Sequence, residues 1–179
     1  MTFKELRIGW SRGKNFIPSG AIRRLDNSYF NHVYWVFVLE DGSELIYESH
    51  MSGGVQITPY EHLDRARAVG KVTAIHENTI VINPFVIRDL WEQCVTLHGD
   101  SYDTGQIIRY YMWIRLFRRK GTKMVRLNDD GKYTCNEFVV ETGRKVIKKM
   151  EDLDFSYTPE RLFQFVNGMP SKEMFNKEK

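Results

Sequence analysis

The most apolar stretch of the chain is HVYWVFVL, from His32 to Leu39. The turn sequence EDGS follows it, and then ELIYES, in which apolar and polar residues mix. Two such runs of β-branched and aromatic residues around an Asp-Gly turn are typical of a β-hairpin. Because the first strand has almost no polar positions, we expect both of its faces to be covered.

The length of the hairpin loop decides which side chains share a face. A three-residue loop, Glu40 to Gly42 with glycine at the left-handed position, pairs Leu39 with Ser43. By the same register His32 pairs with His50 and Tyr34 with Glu48, so these four side chains lie on one face. A two-residue loop would place Glu48 on the opposite face.

Helix starts are well marked in the rest of the chain. Cap residues followed by proline or by a glutamate three positions later predict helices beginning at Thr58, Asn83, Thr134 and Thr158. A further helix is predicted to begin near Asp103. The segment GKVTAIHENTIVI adds one or two strands, and the apolar IIRYYMWIRLF predicts a mostly buried helix. Strands and helices mix without βαβ regularity, which indicates an α+β fold. We expect one domain over residues 1–168 and a loose tail over 169–179.

Composition narrows the classes of function. The chain has 179 residues, 42% of them hydrophobic, and a net charge of +3, which suits a folded domain without a strong preference for nucleic acid. No apolar run is long enough for a transmembrane helix, and MTFKELRIGW lacks the apolar core of a signal peptide. We expect a cytoplasmic protein, with lysis or a secretion system as the route to any external substrate. No Cys/His cluster has metal-site spacing and there is no glycine-rich phosphate loop, so neither metal nor cofactor is expected.

Cys135 stands at a predicted helix start. Thr134 and Glu137 form the capping-box pattern, which makes Cys135 the first helical residue. Unpaired N–H groups there stabilise a thiolate, and they can also bind the oxyanion of an acyl-transfer reaction. The alternative is a small residue that fills a gap. Cys94, at helical spacing from Ile87 and Leu90, is predicted to have such a structural role.

A nucleophilic cysteine needs an imidazole base and a group that orients it. His32 begins the most apolar strand, at the rim of the predicted sheet, and is the best candidate among five histidines. Glu48 and His50 share its face in the three-residue-loop register, and either could be the third member.

The order of these segments resembles that of a known family. AIRRLDNSYFNHVYWVF, LIYESHMSGGVQITPYEHL, HGDSYD, YTCNEFVVETG and YTPERLFQF follow one another as in the permuted NlpC-like (YiiX/YaeF-type) branch of the papain-like cysteine hydrolases. In that branch the histidine strand precedes the cysteine helix. The resemblance implies a circularly permuted papain-like fold, an antiparallel sheet packed against helices. The family often carries Gly-Asp near its first strand, where this chain has Trp10.

The resemblance also implies an activity. Cys135 matches the family nucleophile, His32 the base and Glu48 the orienting residue, and we expect Tyr34, Tyr102 and Thr134 to contact the substrate. The reaction would be hydrolysis or transfer at an amide, ester or thioester, on a peptide, lipid or small-molecule acyl substrate. The resemblance fits a cell-wall peptide amidase or a lipid acyl hydrolase and does not choose between them.

Two other classes of protein stay open from the sequence. One is a binding or inhibitory domain with an inactive site, in which Cys135 and His32 would be displaced from each other. The other is a binder of anionic surfaces, nucleic acid or membrane, through the six cations between Arg115 and Arg126. A solvated loop after a buried helix explains the same six cations.

Overall fold

The structure is a computed structural model that describes residues 1–14, 29–117, 131–154 and 158–168. Its strands are β1 (Phe3–Gly13), β2 (His32–Leu39), β3 (Glu44–His50), β4 (Gly54–Pro59), β5 (Val72–Ile80), β6 (Ser101–Tyr102) and β7 (Lys132–Tyr133). Its helices are α1 (Glu61–Ala68), α2 (Pro84–Thr96), α3 (Thr104–Phe117), α4 (Cys135–Val146) and α5 (Pro159–Asn167), with a 3₁₀ turn at Lys148–Met150.

Five strands form one antiparallel sheet in the order β4-β3-β2-β1-β5. The β2–β3 register is the one that a three-residue loop predicts, with Trp35 opposite Tyr47 and Val38 opposite Glu44. The Leu39 N–H donates to the Ser43 carbonyl oxygen at 2.9 Å, and Gly42 has a φ of 84°. The shared face of His32 and Glu48 is therefore confirmed.

Both faces of β2 are covered, as its apolar sequence predicts. On the inner face Val33, Trp35 and Phe37 belong to the main core, together with residues from α2, α4 and α5. On the outer face Tyr34, Val36, Val38 and Ile46 form a smaller cluster against Leu63 of α1 and Tyr60. Six of the eight residues of β2 are buried.

Helix α4 packs on the inner face and is buried along almost its whole length. The Trp35 indole N–H donates to Thr142 Oγ1 at 2.9 Å, and the ring of Phe138 stacks on Tyr47 with centroids 5.7 Å apart. These contacts fix the helix against the strands that carry His32 and Glu48.

Four helix starts occur where the sequence predicts them, at Asn83, Asp103, Thr134 and Thr158. Asn83 Oδ1 accepts from the Phe85 N–H, Asp103 Oδ1 from the Gln106 N–H and Thr158 Oγ1 from the Arg161 N–H. The antiparallel sheet packed against helices confirms the α+β class.

The predicted helix start at Thr58 is wrong. Thr58 and Pro59 belong to β4, opposite Ile46 and Leu45, and α1 begins only at Glu61. Pairing with β3 therefore overrides a Thr-Pro-x-Glu sequence that locally favours a helix. Instead of capping α1, the Thr58 hydroxyl donates to Glu48.

Helix α3 is less buried than predicted. Ile107 is buried, but Ile108 and Met112 are 57% and 49% exposed. The cationic side chains of Arg115–Arg126 and the predicted tail at 169–179 lie outside the described residues. None of the helices within the described ranges is both long and apolar enough to cross a membrane.

Candidate active site

His32 and Glu48 form an ion pair at the rim of the outer face. His32 Nε2 lies 2.6 Å from Glu48 Oε2, and 20% and 13% of the two side chains are exposed. The hairpin register that places them on one face also sets them side by side, because His32 begins β2 and Glu48 lies near the end of β3. Since Glu48 occupies Nε2, Nδ1 is the ring nitrogen left for another partner.

Cys135 is a second neighbour of the ring. Its thiol is 3% exposed in total and lies close enough to the His32 ring to affect the pKa of His32 by hydrogen bonding and by charge. A sulfur, an imidazole and a carboxylate thus lie in sequence, contributed by α4, β2 and β3. Their use as nucleophile, base and orienting residue stays a prediction.

The pair is charged at neutral pH. Burial by itself lowers the pKa of His32, but hydrogen bonds and attraction to Cys135 and Glu48 outweigh it and raise the pKa to about 10. Burial by itself raises the pKa of Glu48, but the hydrogen bond and charge of His32 lower it to about 2. An imidazolium is therefore held beside the Cys135 sulfur.

The start of α4 is fixed by two sets of hydrogen bonds. The Thr134 N–H and hydroxyl both donate to the buried Glu137 carboxylate, at 2.9 and 2.8 Å, within the predicted capping box. The Ser49 hydroxyl donates to the Tyr133 carbonyl oxygen at 2.6 Å. Since Ser49 follows Glu48, this bond ties the residues just before Cys135 to the strand that carries Glu48.

In the described hydrogen bonds, no ring nitrogen of another histidine bonds to His32. His50 Nδ1 lies 2.8 Å from the Ser52 hydroxyl, and its ring centroid is 6.0 Å from that of His32. Burial lowers the pKa of His50, which favours its neutral form. His76 bonds to Asn78 and His98 to Tyr47. Of the two candidate third members, Glu48 is the one that contacts the base.

A cleft of about 550 Å³ opens over the outer face at His32 and Glu48. Tyr34 and Ile46 of the sheet, Leu63 and Ala66 of α1, and Tyr102 all line it. More than half of the lining residues are polar or charged, so the cleft suits a ligand with both polar and apolar parts.

Tyr102 lines this cleft and a second one of about 480 Å³, which also touches Asp103 and Arg109. It pairs with Tyr133 in the two-stranded sheet of β6 and β7. Burial raises the pKa of Tyr102 well above its ordinary value, so its hydroxyl stays protonated. Thr134, in contrast, is 1% exposed and its hydroxyl is bonded within the capping box. Substrate contact by Tyr34, Tyr102 and Thr134 stays a prediction.

Two residues of this site were not predicted from the sequence. Gln56 Nε2 and Thr58 Oγ1 both donate to Glu48 Oε1, at 3.3 and 3.1 Å. The sequence signal for them was the alternation of apolar and polar residues in GVQITP, which follows the hairpin and predicts a third strand. Once this strand, β4, pairs with β3, Gln56 lies directly opposite Glu48.

Neither a protein-family model nor a curated protein matches the sequence. Among solved structures, the fold is similar to that of the metalloprotein YiiX from Escherichia coli O157:H7, DUF1105, with a TM-score of 0.56 and 15% sequence identity. The match covers 83% of this chain and 68% of YiiX. At this identity the likeness concerns the fold. In the described part of this chain, no group of three or more His, Cys, Asp or Glu side chains is placed to hold a metal ion.

The charges of His32 and Glu48 predict how stability depends on pH. Glu48 has a pKa of about 2 against an ordinary 4.5, so its contribution is complete above pH 4.5 and is lost as the pH falls towards 2. His32 has a pKa of about 10 against an ordinary 6.5, so its contribution is complete below pH 6.5 and is lost as the pH rises towards 10. Together they stabilise the fold most between about pH 4.5 and 6.5.

We therefore expect Glu48→Gln to lower the free energy of unfolding by roughly 3 kcal/mol in that window and by less on either side. Urea unfolding at a series of pH values measures the difference. The matched control is Glu61→Gln, whose exposed pair with Arg65 spans 3.4 Å and contributes little at any pH. A difference that is flat from pH 3 to 9 would contradict the charge assignment.

Proposed function

We propose that this protein is a cysteine-dependent acyl hydrolase or acyltransferase on a permuted papain-like fold of the NlpC type, formed as one domain by residues 1–168. The observation that carries the proposal is the position of His32, whose Nε2 bonds to Glu48 and whose ring lies next to the Cys135 thiol. The likeness of fold to YiiX and the order of the histidine strand before the cysteine helix support it.

In this proposal the Cys135 thiolate attacks the carbonyl carbon of an amide, ester or thioester. The negative charge that forms on the carbonyl oxygen is stabilised by N–H groups at the start of α4. As the intermediate collapses, the bond to the leaving group breaks and the His32 imidazolium gives that group its proton. An acyl-enzyme on Cys135 remains.

The second half of the reaction reverses these roles. Water or another acceptor enters, neutral His32 takes its proton, and the acyl group leaves Cys135 as an acid or a transferred acyl product. Glu48 stays ionised throughout and holds the ring in place. The cleft beside His32, with Tyr34 and Ile46 on its floor, would hold apolar parts of a peptide or lipid substrate.

The contact between Cys135 and His32 favours an active enzyme over an inactive binding domain, because displacement of that pair would mark the inactive alternative. Binding to an anionic surface through Arg115–Arg126 and a cytoplasmic location both stay predictions.

Trapping of the acyl-enzyme tests the proposal. The protein is incubated with nitrophenyl esters, acyl thioesters and peptide amides, and the modified residue is identified by mass spectrometry of peptides. We expect acylation of Cys135 in the natural protein and in Cys94→Ala, and none in Cys135→Ser. Cys94 is an internal control because burial raises its pKa well above the ordinary value and keeps it a thiol. Absence of any Cys135 acylation across the panel would overturn the proposal.

A further inference from the structure

The carboxylate of Glu48 is held from its far side by strand β4. While Oε2 faces His32, Oε1 accepts a hydrogen bond from Gln56 Nε2 and another from Thr58 Oγ1. Both donors project from the outer face of β4, Gln56 directly opposite Glu48 and Thr58 diagonal to it. Each oxygen of Glu48 therefore has its own partners, and the carboxylate cannot rotate without breaking bonds.

Gly53 leaves the space that Gln56 needs. A Cβ atom at position 53 would overlap the Gln56 carboxamide oxygen and lie 3.0 Å from its Cδ. The carboxamide thus rests against the bare backbone of Gly53 with its oxygen, and it turns its nitrogen towards Glu48. Gly53 therefore leaves the space in which Gln56 can reach Glu48, and the Glu48 acceptor sets the amide orientation in which Gln56 is a donor.

We propose that Gln56 and Thr58 are positioning residues for the reaction: they hold the Glu48 carboxylate ionised and aimed at His32, and Gly53 leaves the space that Gln56 needs to do so. They act through Glu48 and do not touch the reacting atoms. The functional consequence rests on the proposed function, but the effect on Glu48 does not.

The charge state of Glu48 gives the direct test. Donors that bind a carboxylate favour its ionised form, and a hydrogen bond to a charged group is worth about 1.5–3 kcal/mol. Loss of either donor should therefore raise the proton affinity of Glu48 by about tenfold or more. We expect the carboxyl ¹³C resonance of Glu48, assigned with Glu48→Gln, to stay constant from pH 7 down to about 4 in the natural protein. In Thr58→Val and in Gln56→Met it should titrate at a higher pH.

Two further variants separate positioning from general damage. Thr58→Ser keeps the hydroxyl and should restore the titration of the natural protein. Gly53→Ala removes no hydrogen-bonding group but displaces Gln56, and it should move the titration in the same direction as Gln56→Met. If Thr58→Val does not fold, Gln56→Met and Gly53→Ala still test the proposal.

Thr79→Val is the matched control. Thr79, on β5 of the same sheet, donates to Glu5 at 3.1 Å and is remote from His32 in the strand order. Its loss should leave Glu48 unchanged. An unchanged Glu48 titration in both Thr58→Val and Gln56→Met, or an equal shift in Thr79→Val, would overturn the proposal.

The effect of Gln56 and Thr58 on the reaction is tested by the rate of Cys135 acylation as a function of pH. We expect the acid limb of that profile to move to higher pH in Thr58→Val, together with the titration of Glu48, and to return in Thr58→Ser. A shifted Glu48 titration with no acylation of Cys135 in any protein would uphold the positioning and defeat the proposed function. If Cys135 is acylated but the titration of Glu48 does not shift in the variants, the proposed function stands and the positioning proposal fails.

Discussion

Replacement of His32 by alanine should lower the rate of Cys135 acylation by about 10²- to 10⁴-fold, the usual contribution of a positioned acid-base group. Two effects combine in this loss. The imidazolium that stabilises the thiolate disappears, and the leaving group no longer has a proton donor. The measurement is the single-turnover rate of acyl-enzyme formation at pH 7, with the best acyl donor from the trapping panel.

His50→Ala is the control for this variant. His50 lies on the same face, close to His32, but its Nδ1 faces Ser52. We expect a change of no more than a few fold. Equal losses in the two variants would mean that the rate depends on the shape of the rim and not on the base.

Gly9→Ala should be strongly destabilising. Gly9 lies opposite Tyr34 in the β1–β2 register, and a Cβ there would lie 2.6 Å from Tyr34 Cζ and still closer to Cε2. The Tyr34 ring is 1% exposed and belongs to the outer cluster, so a shift away from position 9 disturbs its packing against that cluster. Overpacking of this kind typically lowers the free energy of unfolding by about 1–3 kcal/mol. For Gly9→Ala we expect a loss at the upper end of that range or slightly above it, about 3–4 kcal/mol.

Urea unfolding of Gly9→Ala gives that free energy, with Gly13→Ala as the control on the same strand. At position 13 the new Cβ would meet its nearest neighbour, Asn31 Nδ2, at an ordinary 3.6 Å. We expect a change of less than about 1 kcal/mol there. Similar losses at both positions would show that the Tyr34 ring is not fixed against Gly9.

The parts of the site that could be predicted are those set by local rules. The Asp-Gly turn fixes the hairpin register, and this places His32 and Glu48 on one face. The capping box fixes the start of α4 and makes Cys135 its first residue. Each depends on a few neighbouring residues, although the sequence left two loop lengths open and the structure has the three-residue one.

The parts that could not be predicted depend on partners distant in the chain. Thr58 has the local signs of a helix cap, but β3 offers it a strand partner and Glu48 offers its hydroxyl an acceptor. The packing of α4 under β2 and β3, which brings Cys135 to His32, joins residues about a hundred positions apart. The periodicity of apolar residues does not reveal such a contact. Only the family resemblance in the order of the segments indicated it.

The most direct test of the account is the pH dependence of Cys135 alkylation by iodoacetamide in a Cys94→Ala background, with and without His32→Ala. It needs no substrate. The account predicts that Cys135 reacts at pH 6 at least tenfold faster than a small free thiol, and that His32→Ala removes this advantage. A rate at pH 6 no faster than that of the free thiol, and the same in His32→Ala, would contradict the claim that His32 activates Cys135.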